Sequence, residues 1–279
     1  MKKLFSFYKN FCFFLLCLSS LLFAVPTISV AENVRLNGTY SQGGLVLGKA
    51  DNIKSVKLDQ KSIPFNENGY FLLGFGRDHP AESLLTVTFN DDKQSIQTLN
   101  ISAQDYDIQR INVLEQKKVT PDPEITKRII ADNEEVKRVR QNLSKSEGFL
   151  HGFNLPADGK ITGVFGSQRI LNGEPRNPHK GVDIAAPIGT HIYADADGII
   201  SFAKEDMYLM GNGVMIDHGS GLQSIFIHMD KILVSEGQAV KKGDIIGHIG
   251  QTGRATGPHV HWGISLFDTA LDPLLIILK

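Results

Sequence analysis

The sequence predicts an all-β carboxy-terminal domain of Gly-rich antiparallel sheets, preceded by a small β-sandwich domain and one amphipathic helix. Three observations support this fold class. Short alternating stretches occupy the first third of the chain, one proline-led segment has apolar residues at helical spacing, and Gly-punctuated strands follow from about Gly159. A chain of 279 residues with 42% hydrophobic content is long enough to form one or two cores.

Residues 1–31 have the features of a secretory signal peptide. Three lysines precede an apolar run over residues 11–25, and Ser29-Val30-Ala31 offers small residues for cleavage. The alternative is an uncleaved membrane anchor, but the apolar run is short for a span of about 20 residues. We therefore expect export, with the periplasm or cell envelope as the destination.

Composition excludes some classes of site. Both cysteines, Cys12 and Cys17, fall inside the leader, so the mature chain is expected to have neither a disulfide nor a cysteine metal site. Loss of the leader removes three lysines and leaves 26 Lys and Arg against 30 Asp and Glu, a net charge of −4. A mildly acidic chain of this kind gives no support for nucleic-acid binding.

Residues 32–118 are predicted to form the small β-sandwich. Stretches such as Ser55–Leu58 and Leu84–Phe89 alternate or are rich in residues that favour strands. Turn-forming pairs, among them Asn37-Gly38 and Asn68-Gly69, separate these stretches. Repeated short strands with turns between them favour two packed sheets.

Residues 119–148 are predicted to form a helical linker. Asp122 can cap a helix whose first position takes Pro123, because that position needs no backbone N–H. The apolar residues that recur at helical spacing are Ile125, Ile129, Val136, Val139 and Leu143. The pattern predicts a helix ending near Gly148, and its apolar stripe requires one or both domains to cover it.

Residues 149–279 are predicted to form the all-β domain that carries the chemistry. No long helical pattern interrupts its strands, which are predicted over 160–165, 190–193, 199–203, 214–217, 222–229, 245–249 and 259–266. The segment Val234–Gly243 resembles the hairpin of a lipoyl-type domain. Since no modifiable lysine is evident at its tip, the resemblance implies shared β architecture only.

Two short motifs could bring metal ligands together. In an extended chain residues i and i+4 face the same way, so His179 and Asp183 could approach one ion. Alternation likewise places His259 and His261 on one face of a strand and Val260 in the core. Neutral imidazoles and a carboxylate are suitable zinc donors. The alternative for the second motif is a pair of surface histidines.

A third candidate is His228, which lies in the apolar stretch Ser224–Met229. Strand alternation predicts that Ile225, Ile227 and Met229 form the buried face, with His228 on the opposite face beside Phe226. Together the three places supply five ligands or acid–base groups in one β domain. A catalytic zinc needs three protein ligands and an open position for water, and spare histidines can move protons.

Three segments resemble the lysostaphin-type (LytM-like) zinc metallopeptidases, which are peptidoglycan endopeptidases. They are His179-Lys180-Gly181-Val182-Asp183, Phe226-Ile227-His228-Met229 and Thr252-Gly253-Arg254-Ala255-Thr256-Gly257-Pro258-His259-Val260-His261-Trp262. The resemblance extends over roughly Ile161 to Pro273. Departures from the family pattern, such as Trp262-Gly263 after the last motif, remove none of the five side chains.

The resemblance implies that His179, Asp183 and His261 bind one zinc ion and that His228 and His259 are the unligated catalytic pair. Spacing alone leaves open which of His259 and His261 is the ligand. The resemblance also implies that Arg169 is structural or lines the groove. The remaining histidines lack donors at useful spacing, and His218 is expected to be structural.

The function implied is zinc-dependent hydrolysis of peptide cross-links or stem peptides of bacterial peptidoglycan by a zinc-activated water. The alternative is a non-catalytic wall-binding protein that activates a separate amidase. Relatives of that kind typically lack ligands or catalytic histidines, whereas all five positions are filled here. The amino-terminal domain is expected either to cover the groove, as an intramolecular regulator, or to target the enzyme to peptidoglycan.

Overall fold

The computed structural model describes residues 34–112 and 116–277. The predicted signal peptide therefore lies outside the described residues. Across the described part of the chain, no helix is both long enough and apolar enough to cross a lipid bilayer. Strands predominate in both halves of the molecule, which confirms the predicted all-β fold class.

The amino-terminal half is a sandwich of two antiparallel sheets. Its strands are β1 (Arg35–Gly38), β2 (Leu45–Lys49), β3 (Ile53–Leu58), β4 (Lys61–Ile63), β5 (Tyr70–Gly74), β6 (Glu82–Phe89) and β7 (Gln94–Asn100). One sheet has the order β1-β2-β5 and the other β4-β3-β6-β7. Alternate residues such as Val46, Phe71, Leu85 and Val87 are fully shielded between the sheets, as half-buried strands require.

The β1-β2-β5 sheet is buried on both faces. Val46 and Leu73 belong to the sandwich core, whereas Leu45, Leu47 and Leu72 pack against the core of the carboxy-terminal half. The two halves are therefore joined by an apolar contact and not only by the segment that connects them. A backbone hydrogen bond of 2.8 Å from the Asp272 N–H to the Gly43 carbonyl also joins them.

The connecting segment includes a strand that the sequence pattern does not reveal. Strand β8 (Ile108–Ile111) leaves the sandwich and pairs in parallel with β10 (Gln168–Leu171) of the carboxy-terminal half. Helices α1 (Gln116–Val119) and α2 (Pro123–Arg140) follow, and then a short 3₁₀ helix over Gly148–His151. Chain from the amino-terminal side thus contributes an edge strand beside the candidate site.

Helix α2 begins where the sequence predicts. The Asp122 side chain accepts a 2.9 Å hydrogen bond from the Ile125 N–H, which satisfies one free donor of the first turn. The prediction of an end near Gly148 is wrong, because the helix ends at Arg140. Beyond Val139 the apolar stripe has no surface to cover, and Leu143 is 58% exposed.

Helix α2 packs on the carboxy-terminal sheet. Val136 and Val139 are buried with Phe202, Met215 and Ile225 in one apolar cluster. Polar contacts fix its orientation: they join Arg128 to Asp206 at 2.9 Å, the Tyr208 N–H to Asp132 at 2.9 Å, and the Gln223 side-chain amide to the Val139 carbonyl at 2.9 Å. The predicted need for a cover over the stripe is met by this sheet.

The carboxy-terminal half is built on a ten-stranded sheet. Its strands are β9 (Lys160–Gly163), β12 (Val182–Ala185), β13 (His191–Tyr193), β14 (Gly198–Met207), β15 (Gly211–Gly219), β16 (Leu222–Ile232), β17 (Ala239–Val240), β18 (Ile245–Ile249), β19 (His259–Leu266) and β20 (Thr269–Leu271). Strands β10 (Gln168–Leu171) and β11 (Glu174–Pro175) form a small sheet with β8, and α3 spans Pro273–Ile277.

The main path of the large sheet is β17-β14-β15-β16-β19-β12-β9, with antiparallel neighbours throughout. Trp262, Phe226, Val182 and Ile264 lie at the centre of its core and are almost completely buried. Because β16, β19 and β12 are adjacent, polar residues on their other face lie close together. The candidate site occupies that position.

Candidate metal centre and active site

Sheet register brings the predicted site residues together. Asp183 on β12 lies opposite His261 on β19, and His261 in turn lies opposite Ile227 on β16, the residue before His228. His259 lies two residues before His261 on the same face, while Val260 is fully buried in the core. Alternation along β19 therefore has the predicted result.

His179 reaches the site from the loop before β12. It is 3% exposed, and its Nδ1–H donates a 3.0 Å hydrogen bond to the Val164 carbonyl. That hydrogen bond leaves the lone pair on Nε2, the atom that faces the site. The i,i+4 spacing brings Nε2 to within 3.0 Å of Asp183 Oδ1.

Three donor atoms form a close triangle. His179 Nε2 lies 2.9 Å from His261 Nδ1, and Asp183 Oδ1 lies 3.0 Å from the first and 2.8 Å from the second. One imidazole proton can satisfy only one of these three contacts. A divalent cation at the centre satisfies all three, and two imidazole nitrogens with one carboxylate oxygen are donors that zinc accepts.

This set of atoms therefore fits a catalytic zinc ion, which uses three protein ligands. Among the residues that the structure describes, these three form the group of His and Asp side chains able to hold a metal ion. Zinc is the cofactor that the donor chemistry indicates. His259 Nε2 is farther away, 4.0 Å from Asp183 Oδ1, so the distances favour His261 as the ligand.

Arg169 holds the carboxylate in place. Its guanidinium donates a 2.6 Å hydrogen bond to Asp183 Oδ2, so Oδ1 remains directed at the two histidines. Burial raises the pKa of Asp183, but the contacts with the adjacent His179 and His261 side chains outweigh burial and keep that pKa well below its ordinary value. The sequence did not reveal this role, because Arg169 and Asp183 meet only through the fold.

His228 adopts a backbone conformation that changes its direction. Its φ is +67°, in the left-handed region, and its N–H donates to the Met210 carbonyl at 2.9 Å. The prediction that His228 shares a face with Phe226 is wrong: Phe226 is in the core, whereas His228 and Ile227 both line the cleft. The positive φ interrupts the alternation of β16. Met229, predicted to share a face with Ile227, instead belongs to the core with Phe226.

His228 and His259 form a second pair beside the triangle. Their ring centroids are 4.8 Å apart, and their Nδ1–H groups donate to the Thr252 and Gly257 carbonyls, each at 2.8 Å. Both therefore keep a lone pair on Nε2. Burial, followed by repulsion from the neighbouring histidines, lowers the pKa of His228 to about 3, and burial lowers that of His261 to about 4.

A cleft of about 390 Å³ opens over the site. The residues that line it include His179, His228 and His261 together with Asn133, Arg169, Leu171, Arg176, Asn177, Pro178, Lys180, Leu209, Met210, Ile227 and Arg254. Asn133 comes from α2, so the helix forms part of the cleft wall. A substrate could thus approach the metal position from one open side.

An antiparallel sheet with a His-Asp-His donor set and two unligated histidines is the arrangement of a zinc-dependent hydrolase. Residues 177–273 match the model of Peptidase family M23, and this segment contains all five side chains. The chain therefore carries a domain of peptidase family M23. The predicted resemblance is confirmed.

Individual curated relatives match a little over a third of the chain. A Vibrio cholerae protein named peptidoglycan DD-endopeptidase ShyA is 42% identical over 110 residues, 38% of this chain and 25% of its own length. A Neisseria meningitidis DD-carboxypeptidase/endopeptidase, Mpg, is 40% identical over 101 residues, 36% of this chain and 23% of its own length. The chain thus spans about a quarter of the length of these curated relatives.

One solved structure resembles most of the chain. A peptidase M23 from Pseudomonas aeruginosa superposes with a TM-score of 0.65 at 27% sequence identity, covering 86% of this chain and 95% of that one. The similarity extends beyond the segment that the family model matches. The arrangement of both halves is therefore shared with this solved structure.

Proposed function

We propose that this protein is a zinc-dependent endopeptidase that hydrolyses peptide cross-links or stem peptides of bacterial peptidoglycan. The observation that carries the proposal is the convergence of His179 Nε2, Asp183 Oδ1 and His261 Nδ1 within 3.0 Å of one another. His228 and His259 stand directly beside this triangle. Metal ligands and free acid–base groups in one cleft are what hydrolysis of an amide requires.

In this proposal His179, Asp183 and His261 hold the ion, and Arg169 fixes the orientation of the Asp183 carboxylate. Bound zinc would supply polarisation of the scissile carbonyl and a lower pKa for water. His228 lines the cleft and His259 lies beside it, and because the Nδ1–H of each ring donates to a backbone carbonyl, the lone pair of each neutral ring is on Nε2. Either can accept a proton from water, and once protonated it can donate a hydrogen bond to a developing oxyanion.

The substrate class follows from the relatives and from the predicted leader. The names of ShyA and Mpg describe enzymes that act on DD bonds, and that of ShyA specifies peptidoglycan. An exported protein would meet this polymer in the periplasm or cell envelope. A bond between D-alanine and diaminopimelate is therefore the linkage we propose to test first.

The test is release of soluble muropeptides from purified sacculi by the chain without residues 1–31. We expect release with zinc, loss of release with a chelator, and no release by His261→Ala. The matched control is His248→Ala, which removes a histidine from β18 outside the cleft. Intact zinc-loaded protein that leaves every linkage in the sacculi uncut would refute the proposal and favour the amidase-activator alternative.

We also propose that α2 regulates access to the cleft. Asn133 lines the cleft, and Val136 and Val139 anchor the helix over Phe202 and Ile225. The sandwich is joined to this region through β8, whose Gln109 accepts a 3.1 Å hydrogen bond from Arg169. Movement of the amino-terminal half would therefore be transmitted to the site through the contact between Gln109 and Arg169.

Val136→Asp tests this regulation, because a buried charge without a partner should detach the helix. If α2 covers the cleft, muropeptide release should rise; if α2 guides the substrate, release should fall. Ile130→Asp is the matched control, since Ile130 is 56% exposed on the same helix. Trypsin cleavage within α2 would verify that the helix has detached.

A further inference from the structure

One short turn holds both the backbone and the ring of His179. Residues 164–167 form this turn between β9 and β10. The Val164 carbonyl accepts the His179 Nδ1–H at 3.0 Å. The Gly166 N–H donates to the His179 carbonyl, and the His179 N–H donates to the Ser167 carbonyl, each at 2.9 Å. The position of this metal-site histidine therefore depends on the position of the turn.

Two side chains from the amino-terminal side of the chain hold the turn. Arg77 follows β5 of the sandwich, and its Nε–H donates a 2.6 Å hydrogen bond to the Gly166 carbonyl, while Nη1 pairs with the adjacent Asp78. Tyr106 lies just before β8, and its ring packs edge-on against that of Phe165, with centroids 6.2 Å apart. The Arg77 guanidinium lies 4.4 Å from the centre of the Tyr106 ring, where a cation is attracted to the ring face. Arg77 and Tyr106 thus support each other as well as the turn.

The fit between the turn and Tyr106 is close. Gly166 has a φ of +80°, and a Cβ there would lie 2.0 Å from the Tyr106 ring, so the position requires glycine. Phe165, the next ring in the contact, is 4% exposed. The Tyr106 hydroxyl is buried and has no hydrogen-bond partner among the described residues. The ring of Tyr106 therefore acts through packing, and its hydroxyl contributes nothing to the contact.

The turn acts directly on a donor atom of the triangle. The group that accepts the second ring N–H of a metal-binding histidine sets the direction of the ring. That group, the Val164 carbonyl, lies two residues from the Gly166 carbonyl that Arg77 holds. Outward movement of the turn would release the ring, and His179 Nε2 would lose its 3.0 Å approach to Asp183 Oδ1. Contacts on the amino-terminal side therefore bear on the arrangement of the zinc donors.

We propose that Arg77 and Tyr106 are positioning residues for the metal centre, because they hold the turn that keeps His179 in the geometry that binds zinc. The inference rests on the proposed function and adds a role for the amino-terminal half. That role differs from covering the groove and from targeting the enzyme to its substrate. It makes the affinity for zinc depend on contacts more than 70 residues before His179 in the sequence.

The test measures the zinc affinity of the chain without residues 1–31 by competition with a chromophoric chelator. The visible absorption spectrum of the cobalt-substituted protein reports the coordination geometry. Arg77→Met removes the donor and the charge but keeps an unbranched side chain. We expect its Kd for zinc to rise by about 10-fold, the lower end of the effect of groups behind a metal ligand, since Arg77 acts through the turn. The cobalt spectrum should change with it.

Matched variants separate positioning from general effects. Arg77→Lys should restore part of the affinity, because it keeps a cation that can donate to the Gly166 carbonyl. Tyr106→Leu should weaken zinc binding as Arg77→Met does, whereas Tyr106→Phe should bind zinc like the wild type, since only the unpartnered hydroxyl is lost. Lys54→Met is the control for charge, because Lys54 forms an exposed ion pair with Asp92 elsewhere on the sandwich.

Unchanged zinc affinity and an unchanged cobalt spectrum in folded Arg77→Met would overturn the inference, and so would an equal loss of affinity in Lys54→Met. Urea denaturation of the metal-free proteins shows which variants fold. If Arg77→Met does not fold, the comparison of Tyr106→Leu with Tyr106→Phe decides, and equal zinc affinity in these two overturns the inference.

Failure of the inference and failure of the proposed function give different results. If zinc affinity depends on Arg77 but zinc-loaded wild type leaves sacculi uncut, the positioning role stands and the proposed hydrolysis fails. If wild type releases muropeptides and Arg77→Met binds zinc equally well, the hydrolysis stands and the positioning role fails.

Discussion

Two clusters of histidine and aspartate lie on the strands of the large sheet and the loops next to them, and they differ in how their polar atoms are satisfied. The first is the triangle of His179, Asp183 and His261 beside the cleft. The second, which we call the closed network, consists of Asp195, His218, Ser224 and Trp262. Adjacent residues of β19 belong to different clusters, because His261 faces the cleft and Trp262 faces the core.

The closed network is a chain of hydrogen bonds. His218 donates through Nδ1 to the Asp197 carbonyl at 2.8 Å and contacts Ser224 Oγ at 2.8 Å through Nε2. Asp195 Oδ2 accepts from the Ser224 hydroxyl and, at 2.8 Å, from the Trp262 indole N–H. Burial raises the pKa of Asp195, so a proton can be shared along this chain.

The comparison shows that clustering of histidine and aspartate does not itself indicate a metal site. In the closed network each link between neighbours can hold one proton, and all four side chains are fully buried; Asp195 Oδ1 is the one oxygen of the network without a hydrogen-bond partner among the described residues. In the triangle three lone pairs converge, and one proton cannot satisfy them. The geometry of the acceptors, and access from the cleft, separate a candidate metal centre from a structural network.

The largest expected effect is that of His261→Ala. Loss of one of three ligands should remove most of the bound zinc and lower muropeptide release by at least about 1,000-fold. Zinc content by mass spectrometry and release from sacculi measure the two effects. Trp262→Phe is the matched control one residue away, and it should retain stoichiometric zinc. Full zinc occupancy in His261→Ala would contradict the ligand assignment.

A smaller effect is expected for His259→Ala. Its Nε2 is 4.0 Å from the nearest Asp183 oxygen, so zinc should remain bound while release falls about 100-fold through loss of proton transfer. The same two measurements apply, with His191→Ala as the control because His191 lies on β13 away from the cleft. If His259→Ala lost its zinc, His259 would be a ligand rather than an acid–base group.

Local patterns in the sequence predicted those parts of the site that lie within one element. His259 and His261 follow strand alternation, and Asp122 caps α2 as its position before Pro123 indicates. The sandwich and the Gly-rich sheet were also predictable, since each strand is a short run with its own periodicity. These features depend on neighbouring residues only.

Features set by distant contacts were not predictable from pattern. The direction of His228 depends on a positive φ that the Met210 carbonyl helps to hold, and alternation gives no sign of it. The contact of Arg169 with Asp183 and the pairing of β8 with β10 likewise join separate parts of the chain. The choice of His261 over His259 as the candidate ligand came from family resemblance, and the distances agree with it.

Trp262→Phe tests the closed network directly and should act on stability. Removal of the indole N–H leaves a buried Asp195 oxygen without one donor, which costs about 1–3 kcal/mol in free energy of unfolding. Urea denaturation measures this change, and zinc content should stay at the wild-type level. Trp262→Phe in an Asp195→Asn background should cost less, since an amide oxygen is a weaker acceptor than a carboxyl group that shares a proton. Loss of zinc in Trp262→Phe would mean that the two clusters are coupled through β19.

The smallest expected effect on stability is that of Asp197. Its carbonyl accepts a hydrogen bond from His218, and its carboxylate lies nearer the surface. The Lys242 backbone N–H at 2.9 Å, followed by Lys241 and His151, lowers the pKa of Asp197 to about 2. Because the folded pKa lies below the ordinary 3.8, the carboxylate stabilises the fold above that value and the contribution is lost as pH falls through about 2.

The unfolding free energies of wild type and Asp197→Asn should therefore differ at neutral pH and converge as acid is added. Urea titrations over the pH range in which both remain folded measure the difference. Since the carboxylate is far from the cleft, zinc content and muropeptide release at neutral pH should not change. A difference in unfolding free energy that stays constant with pH would show that Asp197 acts through hydrogen bonds that do not depend on its charge.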